Sequence, residues 1–332
     1  MQEVLKLQKQ ERLAIYRNTA QEMGVSEAVI EKDYWVCLVL EYLFHKSRFN
    51  ETLTFKGGTS LSKCYGLIER FSEDLDLILD WRLLGYGKDE PWEVRSKTKQ
   101  DAFNKEANDR ASDFLAGEFL PDFVTGMSEI IGEGVKSEVD AYDPQTINFH
   151  FPSLCSSDSI LRTIRLEIGA LAAWTPSVER TVTPYIFEYH PSDTHKMSTT
   201  VITSSAERSF WEKATILHHE ANRPEHLSMP DRYSRHYYDL YCIAQSEHKS
   251  TALNSPDLLK KVVDFKMRFY PRSWAKYEDA KPGTLRLVPP DIRVKALSID
   301  HDIMAEMLFG EVMPFYKIIE YITTLEGEIN SR

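Results

Sequence analysis

The chain has 332 residues, 42% hydrophobic and 11% aromatic, enough to form a substantial core as one large domain or two intimate lobes. Its net charge of −11 argues against a general nucleic-acid coat protein, while leaving room for a local basic face that holds one nucleic-acid end. No run reaches the roughly 18 apolar residues of a membrane span, and Met1–Gln10 carries charge where a secretory signal would be apolar, so no membrane partner and a cytoplasmic location are expected. Cys37, Cys64, Cys155 and Cys242 are scattered, with no Cys-x-x-Cys pair, and read as small core residues of a reducing compartment.

In chain order, residues 3 to 22 predict a helix, Ser26 a cap, and Val29 to Phe44 a buried helix. Leu53-Thr54-Phe55 predicts a short strand that Gly57 and Gly58 break, with Thr59 or Ser60 capping a helix from Leu61 to about Glu69. A glycine turn ahead of a helix lets backbone N–H groups approach an anion closely. Asp74 and Asp76 follow at i and i+2 in the apolar run Leu75, Leu77, Ile78, Leu79, a strand with both carboxylates on one face. Taken separately, a Gly-Gly-Thr-Ser turn and an Asp-x-Asp pair are commonplace. Together, with charges inside an apolar strand where unpaired charge is costly, they point to magnesium and a nucleotide polyphosphate. The Gly-Lys-Ser/Thr ending of a P-loop and the Gly-x-Gly-x-x-Gly of a dinucleotide fold are both missing.

Gly85 to Pro91 predicts a loop, and Trp92 to Phe119 a long charged helix with Phe103, Ala107, Ala111, Phe114 and Leu115 on its apolar side. Strands are expected over 138 to 151 and 160 to 168, with a turn at Pro152 to Asp158. Alternation in the second sets Thr163, Arg165 and Glu167 on one face, making Glu167 a third candidate carboxylate; the alternative is a structural salt bridge to Arg70 or Arg165. From Ser205 the pattern turns helical through Glu220, with Lys213 on the second turn, where an exposed lysine by itself only solubilises. Asp239, flanked by Tyr238 and Leu240, is expected to be buried in a following helix and to need Arg235 or Lys213 as partner. His218, His219 and His236 read as packing or capping residues. Arg232 and Arg235, together with Lys266, Arg268, Arg272 and Lys276, are candidate phosphate contacts; the latter four, interleaved with Phe269, Tyr270 and Trp274, read alternatively as a solvated amphipathic helix over core aromatics. The tail from Asp300 to Ile329 predicts helices whose Met304, Met307, Leu308, Phe309, Met313 and Phe315 fill a core.

The blocks Glu31-Lys32-Asp33-Tyr34-Trp35-Val36, Phe55-Lys56-Gly57-Gly58-Thr59-Ser60-Leu61, Arg70-Phe71-Ser72-Glu73-Asp74-Leu75-Asp76, Arg165-Leu166-Glu167-Ile168-Gly169, Glu207-Arg208-Ser209-Phe210-Trp211-Glu212-Lys213-Ala214 and Ser234-Arg235-His236-Tyr237-Tyr238-Asp239-Leu240 span nearly the whole chain. In this order they closely resemble the AbiEii/AbiGii-type nucleotidyltransferase toxins of the DNA polymerase β-like superfamily. The resemblance implies an α+β fold, with a mixed sheet flanked by helices in a nucleotidyltransferase lobe over 1–204 and a mainly helical lobe over 205–332. It assigns Lys56, Gly57, Gly58, Thr59, Ser60, Lys63, Arg208 and Lys213 to the nucleotide, and Asp74 and Asp76 to Mg2+, with Mn2+ as the alternative. Glu167 would hold a second metal and help deprotonate the acceptor. Lys213 stands as the third-motif lysine and Asp239 as the fourth-motif aspartate, roles carried over because this family uses its own later motifs. The implied reaction is transfer of a nucleoside monophosphate from an NTP to an acceptor hydroxyl with release of pyrophosphate. The acceptor some relatives use is the 3′ end of tRNA, and such proteins usually act as type IV toxins with a cognate antitoxin or in phage exclusion. Transfer of the γ-phosphoryl group from the same pocket, and a non-catalytic nucleotide- or antitoxin-binding protein, are the alternative readings.

Overall fold

The computed structural model describes residues 1–332 apart from 73, 133, 156, 158–159, 172–175, 190–196 and 311, with residue 306 described by its backbone alone. Glu73 of the aspartate block and part of the expected 152–158 turn therefore lie outside the described residues. The chain divides into two compact units, one of Met1–Cys64 with Phe71–Ser204 and one of Tyr65–Arg70 with Ser205–Arg332.

The first unit opens with helices α1 (Glu3–Lys6), α2 (Lys9–Met23) and α3 (Glu27–His45). The single helix expected over the start of the chain is broken at Leu7, which is extended (ψ 152°), and restarts through a capping box in which Gln8 N–H donates to the Glu11 carboxylate at 2.8 Å. Ser26 holds the N-cap position of α3, although its hydroxyl makes no capping bond. Then follow β1 (Leu53–Lys56), α4 (Gly57–Lys63), β2 (Asp74–Leu79), α5 (Lys97–Phe114), α6 (Leu120–Ile131), β3 (Lys136–Val139), β4 (Thr146–His150), β5 (Thr163–Gly169), β6 (Ser177–Val182), α7 (Tyr185–Tyr189) and β7 (Thr199–Ser204).

The seven strands form one sheet in the order β3-β4-β5-β2-β1-β7-β6, parallel at β2/β5 and β1/β7 and antiparallel elsewhere. Trp35 of α3 packs on Phe149 and Phe151, and Phe123 of α6 packs on Phe149, which covers one sheet face with helices. The strand expected over 138 to 151 is instead the hairpin β3/β4. Its turn is held by Asp140, which accepts from the N–H groups of Tyr142 and Asp143, and by Asp143, which accepts from that of Gln145. The strands β6 and β7 were not anticipated. α5 starts five residues later than expected, and its apolar positions Phe103, Ala107, Ala111, Phe114 and Leu115 are all buried. It continues into α6 through a wide π turn at Leu115–Phe119.

The second unit comprises α8 (Ala206–Ala221), α9 (Ser234–Ala244), α10 (His248–Leu253), α11 (Pro256–Phe269), α12 (Asp291–Met304) and α13 (Phe315–Asn330). Ser205 caps α8, its hydroxyl accepting from Arg208 N–H at 3.3 Å. α9 packs against α8, α12 and α13, and Met304 and Phe315 are buried as expected. The Tyr65–Arg70 segment joins this unit: Phe309 N–H donates to the Glu69 carbonyl at 2.7 Å, and Arg70 bridges to Leu308. No described helix is long and apolar enough to cross a membrane.

Candidate active site

In the first unit strand register brings the expected carboxylates to one sheet face. Asp74 lies opposite Arg165 and Asp76 opposite Glu167 across the parallel β2/β5 pair, while Lys56 of β1 lies opposite Asp76. Residues at i and i+2 share a face, so Asp74, Asp76, Arg165 and Glu167 crowd one patch at the centre of the sheet. The Glu167 carboxyl is pushed up to about 7, first by desolvation and then by the charges of Asp76 and Asp74, with Arg165 only partly offsetting them. The Asp76 carboxylate has no hydrogen-bond or ion-pair partner among the described residues. Arg165 places a cation beside these carboxylates, with Nε at 3.8 Å from Asp74 and 3.6 Å from Glu167 and Nη1 at 2.9 Å from Asp140. Asp140 was not singled out from the sequence.

The glycine turn is built against this patch. Gly57 has φ +80°, a conformation that L side chains rarely adopt. A Cβ there would run into the Asp76 carboxylate, at 2.5 Å from its Cγ and 2.9 Å from its Cβ. The helix begins at Gly57 and ends at Lys63, not from Leu61 to Glu69, because the hydroxyls expected as caps are used internally. Thr59 Oγ1 donates to the Asp74 carbonyl at 2.5 Å, and Ser60 Oγ donates to the Gly57 carbonyl at 3.1 Å. Both residues are buried, so what the turn can offer a phosphate is backbone N–H, not side-chain hydroxyl. Thr59 in addition ties the turn to the first carboxylate residue of β2.

Lys63, expected at the nucleotide, points elsewhere. Its side chain is 3% exposed, with Nζ at 2.9 Å from Asp33 and 3.5 Å from Glu188, and lies over the Tyr185 ring. Asp33 also accepts from Tyr185 N–H at 2.7 Å, so the pair fastens α3 to α4 and α7. The neighbouring Glu31 accepts from Ser153 Oγ and the N–H groups of Leu154 and Cys155, which pins that turn to α3.

In the second unit, Asp239 is fully buried and bound by Arg70, through Nε at 2.7 Å and Nη2 at 3.0 Å, and by Lys213 Nζ at 2.7 Å. The expected partner Lys213 is present, and Arg70 takes the place considered for Arg235. Burial would raise the Asp239 carboxyl, but Arg70 and Lys213 hold it well below the usual carboxylate range. Burial depresses Lys213, with Asp239 opposing. His236 Nδ1 lies 3.3 Å from Lys213 Nζ, and burial together with Lys213 and Arg235 keeps that ring neutral. Two cations around one carboxylate leave this cluster one positive charge in excess. Arg208, expected at the nucleotide, is buried against Glu212, 2.9 Å from its Nε, and beside the Phe265 ring.

The histidines have structural roles. His218 accepts from Arg286 N–H at 3.0 Å and so donates from Nε2 to the Lys276 carbonyl, while His219 stacks on Trp274 at 4.3 Å. Of the basic stretch, Phe269 is buried in the core, whereas Tyr270, Arg272 and Lys276 are exposed. Among the described residues no three of His, Cys, Asp or Glu converge closely enough to enclose a metal ion. The donor set nevertheless fits one: two to three hard carboxylates, one of them raised first by burial and then by the charges of its neighbours, suit a cation that completes its shell with water and substrate.

The family model described as "Nucleotidyl transferase AbiEii toxin, Type IV TA system" matches residues 39–321. The chain belongs to the AbiEii family. It is therefore a nucleotidyltransferase, and a toxin of the type IV toxin–antitoxin class, for which an NTP substrate and an antitoxin partner are implied. Its fold is similar to that of MenT4, a nucleotidyltransferase toxin from Mycobacterium tuberculosis H37Rv, with TM-score 0.51 and 17% identity over 96% of this chain and 92% of that one. A second solved structure, JHP933 from Helicobacter pylori, aligns at TM-score 0.43 and 12% identity over 92% and 93% of the two chains. No curated protein sequence matches significantly. The AbiEii match and the MenT4 likeness agree with the mixed sheet flanked by helices and the helical unit read from the sequence.

Proposed function

We propose that this AbiEii toxin is a divalent-metal-dependent enzyme that transfers a nucleoside monophosphate from an NTP to the 3′ hydroxyl of an RNA of tRNA size. The observation that carries the reading is the placement of Asp74, Asp76 and Glu167 on one sheet face beside the Gly57 turn. Asp74 and Asp76 would hold Mg2+ or Mn2+, which when bound lowers the pKa of the acceptor hydroxyl and neutralises the departing pyrophosphate. Gly57 and Gly58 present backbone N–H groups to the phosphates, with Lys56 beside them. Thr59 fixes the start of β2. Glu167, with its carboxyl near 7, is suited to accept the acceptor's proton at Oε1 or Oε2 at neutral pH. In the second unit Lys213 and Asp239 are the third- and fourth-motif residues by carry-over from the family, with Asp239 orienting Lys213.

An RNA acceptor is supported by charge. Residues 260–286 carry eight lysines and arginines against three carboxylates, in a chain whose net charge is −11. The reaction belongs in the cytoplasm, where NTPs and tRNA occur, and toxicity released by phage infection would give the protein a place in phage defence.

The deciding experiment incubates wild type and Asp76→Ala with Mg2+, total cellular RNA and protein, and each α-labelled NTP in turn. Label entering tRNA-sized RNA with wild type alone supports the reading and names the base. Label on protein would change the acceptor, and transfer from γ-labelled ATP alone would replace nucleotidyl by phosphoryl transfer.

A further inference from the structure

We infer that Arg165 is a tethered internal cation, a positioning residue whose leash to Asp140 sets how tightly the carboxylate face takes a divalent ion. The inference rests on the reading of that face as the metal-binding one.

The guanidinium touches three carboxylates unequally. Its Nη1 bond to Asp140 Oδ2, at 2.9 Å, has the length of a charge-assisted hydrogen bond, while its Nε stands 3.8 Å from Asp74 Oδ1 and 3.6 Å from Glu167 Oε1. It therefore tempers the charge of Asp74 and Glu167 without closing on either. The anchor is fixed independently of the patch: Asp140 also accepts from Asn148 Nδ2 at 2.9 Å and from the N–H groups of Tyr142 and Asp143 at 2.9 and 3.1 Å. Asn148 in turn sits opposite Arg165 across β4/β5, so hairpin, anchor and arginine form one rigid unit.

Two consequences follow from elementary electrostatics. A divalent ion entering beside Asp74 and Glu167 meets a like charge a few ångströms away, so Arg165 lowers the affinity of the face for that ion. Without the leash, the same guanidinium is free to advance into full ion pairs with Asp74 and Glu167, and would compete more strongly.

The test is Mn2+ binding without nucleotide, followed by electron paramagnetic resonance and titration calorimetry, with Mn2+-induced thermal stabilisation as a second readout. Arg165→Gln is expected to bind Mn2+ about ten-fold more tightly than wild type and to gain more thermal stability from it, on the scale of one unit charge removed at this distance. Asp140→Asn is expected to bind several-fold more weakly, and Arg165→Lys, too short to span anchor and carboxylates, to fall between wild type and Arg165→Gln. Unchanged or weaker binding by both Arg165 variants would overturn the inference, because Arg165 would then be ordering the ligands, as would tighter or unchanged binding by Asp140→Asn. Asp140→Asn keeps the arginine and so still decides the matter if Arg165→Gln fails to fold. If Asp76→Asn binds Mn2+ as wild type does, the metal reading of this face fails, and the inference with it.

Discussion

Replacing Gly57 by alanine separates the cost of backbone strain from the cost of moving a carboxylate. At φ +80° the methyl group adds left-handed strain of about 1 to 2 kcal/mol. Its Cβ would also stand 2.5 Å from the Asp76 Cγ, where ordinary contact needs about 3.5 Å, so the carboxylate must shift by roughly an ångström. A misplacement of that size costs about 10²-fold in rate, equivalent to about 2.7 kcal/mol of transition-state stabilisation. Gly24 provides the control: it has φ +69° and nothing within 4 Å of where a methyl would stand, so Gly24→Ala incurs the strain and leaves the carboxylates in place. Pyrophosphate release measured beside denaturant unfolding should show both variants losing similar stability, with only Gly57→Ala losing about 10²-fold in kcat. Equal activity in the two variants, or a Gly57→Ala protein that does not fold, would refute the assignment of Gly57 as the residue that makes room for Asp76.

Asp76→Ala should lower turnover by about 10³-fold or more while changing stability by less than about 0.5 kcal/mol, since Asp76 has no partner to lose among the described residues; unfolding would instead mark it as structural. Asp239→Asn leaves Arg70 and Lys213 buried without their counter-charge and should cost about 3 to 5 kcal/mol in urea unfolding at pH 7. Because the folded Asp239 pKa is depressed, its stabilisation is complete above the ordinary carboxylate range and is lost as pH falls through the folded value, so the Asn variant should show a flatter acid limb. Glu167 has the opposite sign. Its folded pKa is raised to about 7, so metal-free wild type should lose about 1 kcal/mol, discounted for a side chain 40% exposed, as pH rises from 6 to 8, and Glu167→Gln should not. Lys63→Met should cost about 3 to 5 kcal/mol with KM for NTP unchanged, and adding Asp33→Asn should recover much of that loss; a raised KM would return Lys63 to the nucleotide.

What the sequence disclosed and what it hid differ in physical kind. The Asp74/Asp76/Glu167 face was legible because strand alternation is local: period two fixes which side chains share a face before any partner strand is known. The helix α8 and the burial of Asp239 were legible for the similar reason that apolar spacing and flanking aromatics act over one or two turns. The partners were not. Arg70 finds Asp239 across 169 positions and Lys63 finds Asp33 across 30, and nothing near either lysine or arginine in the chain distinguishes a buried ion pair from a phosphate ligand. A clue did exist in Glu31-Lys32-Asp33, three consecutive charges inside a helix rich in apolar residues, which had to be paired if the helix was buried. The helix boundary after Gly57 was misplaced because Thr59 and Ser60 have two uses for a hydroxyl, capping or back-bonding, and only the neighbouring strand decides between them. The hairpin at Asp140 and Asp143 was hidden inside a run of strand-forming residues, and with it the anchor of Arg165.

The excursion of Tyr65–Arg70 into the helical unit makes a clean division of the gene impossible. A fragment ending at Ser204 would carry Arg70 without the carboxylate it serves and Glu69 without the N–H group of Phe309, while a fragment starting at Ser205 would expose Asp239 with one of its two cations deleted. Neither piece is a self-sufficient module, so toxicity should not be recoverable by co-expressing the two halves cut there. A split placed in an exposed loop within one unit, such as the Gly283 turn, would keep the six-residue stitch intact and is where reconstitution should succeed.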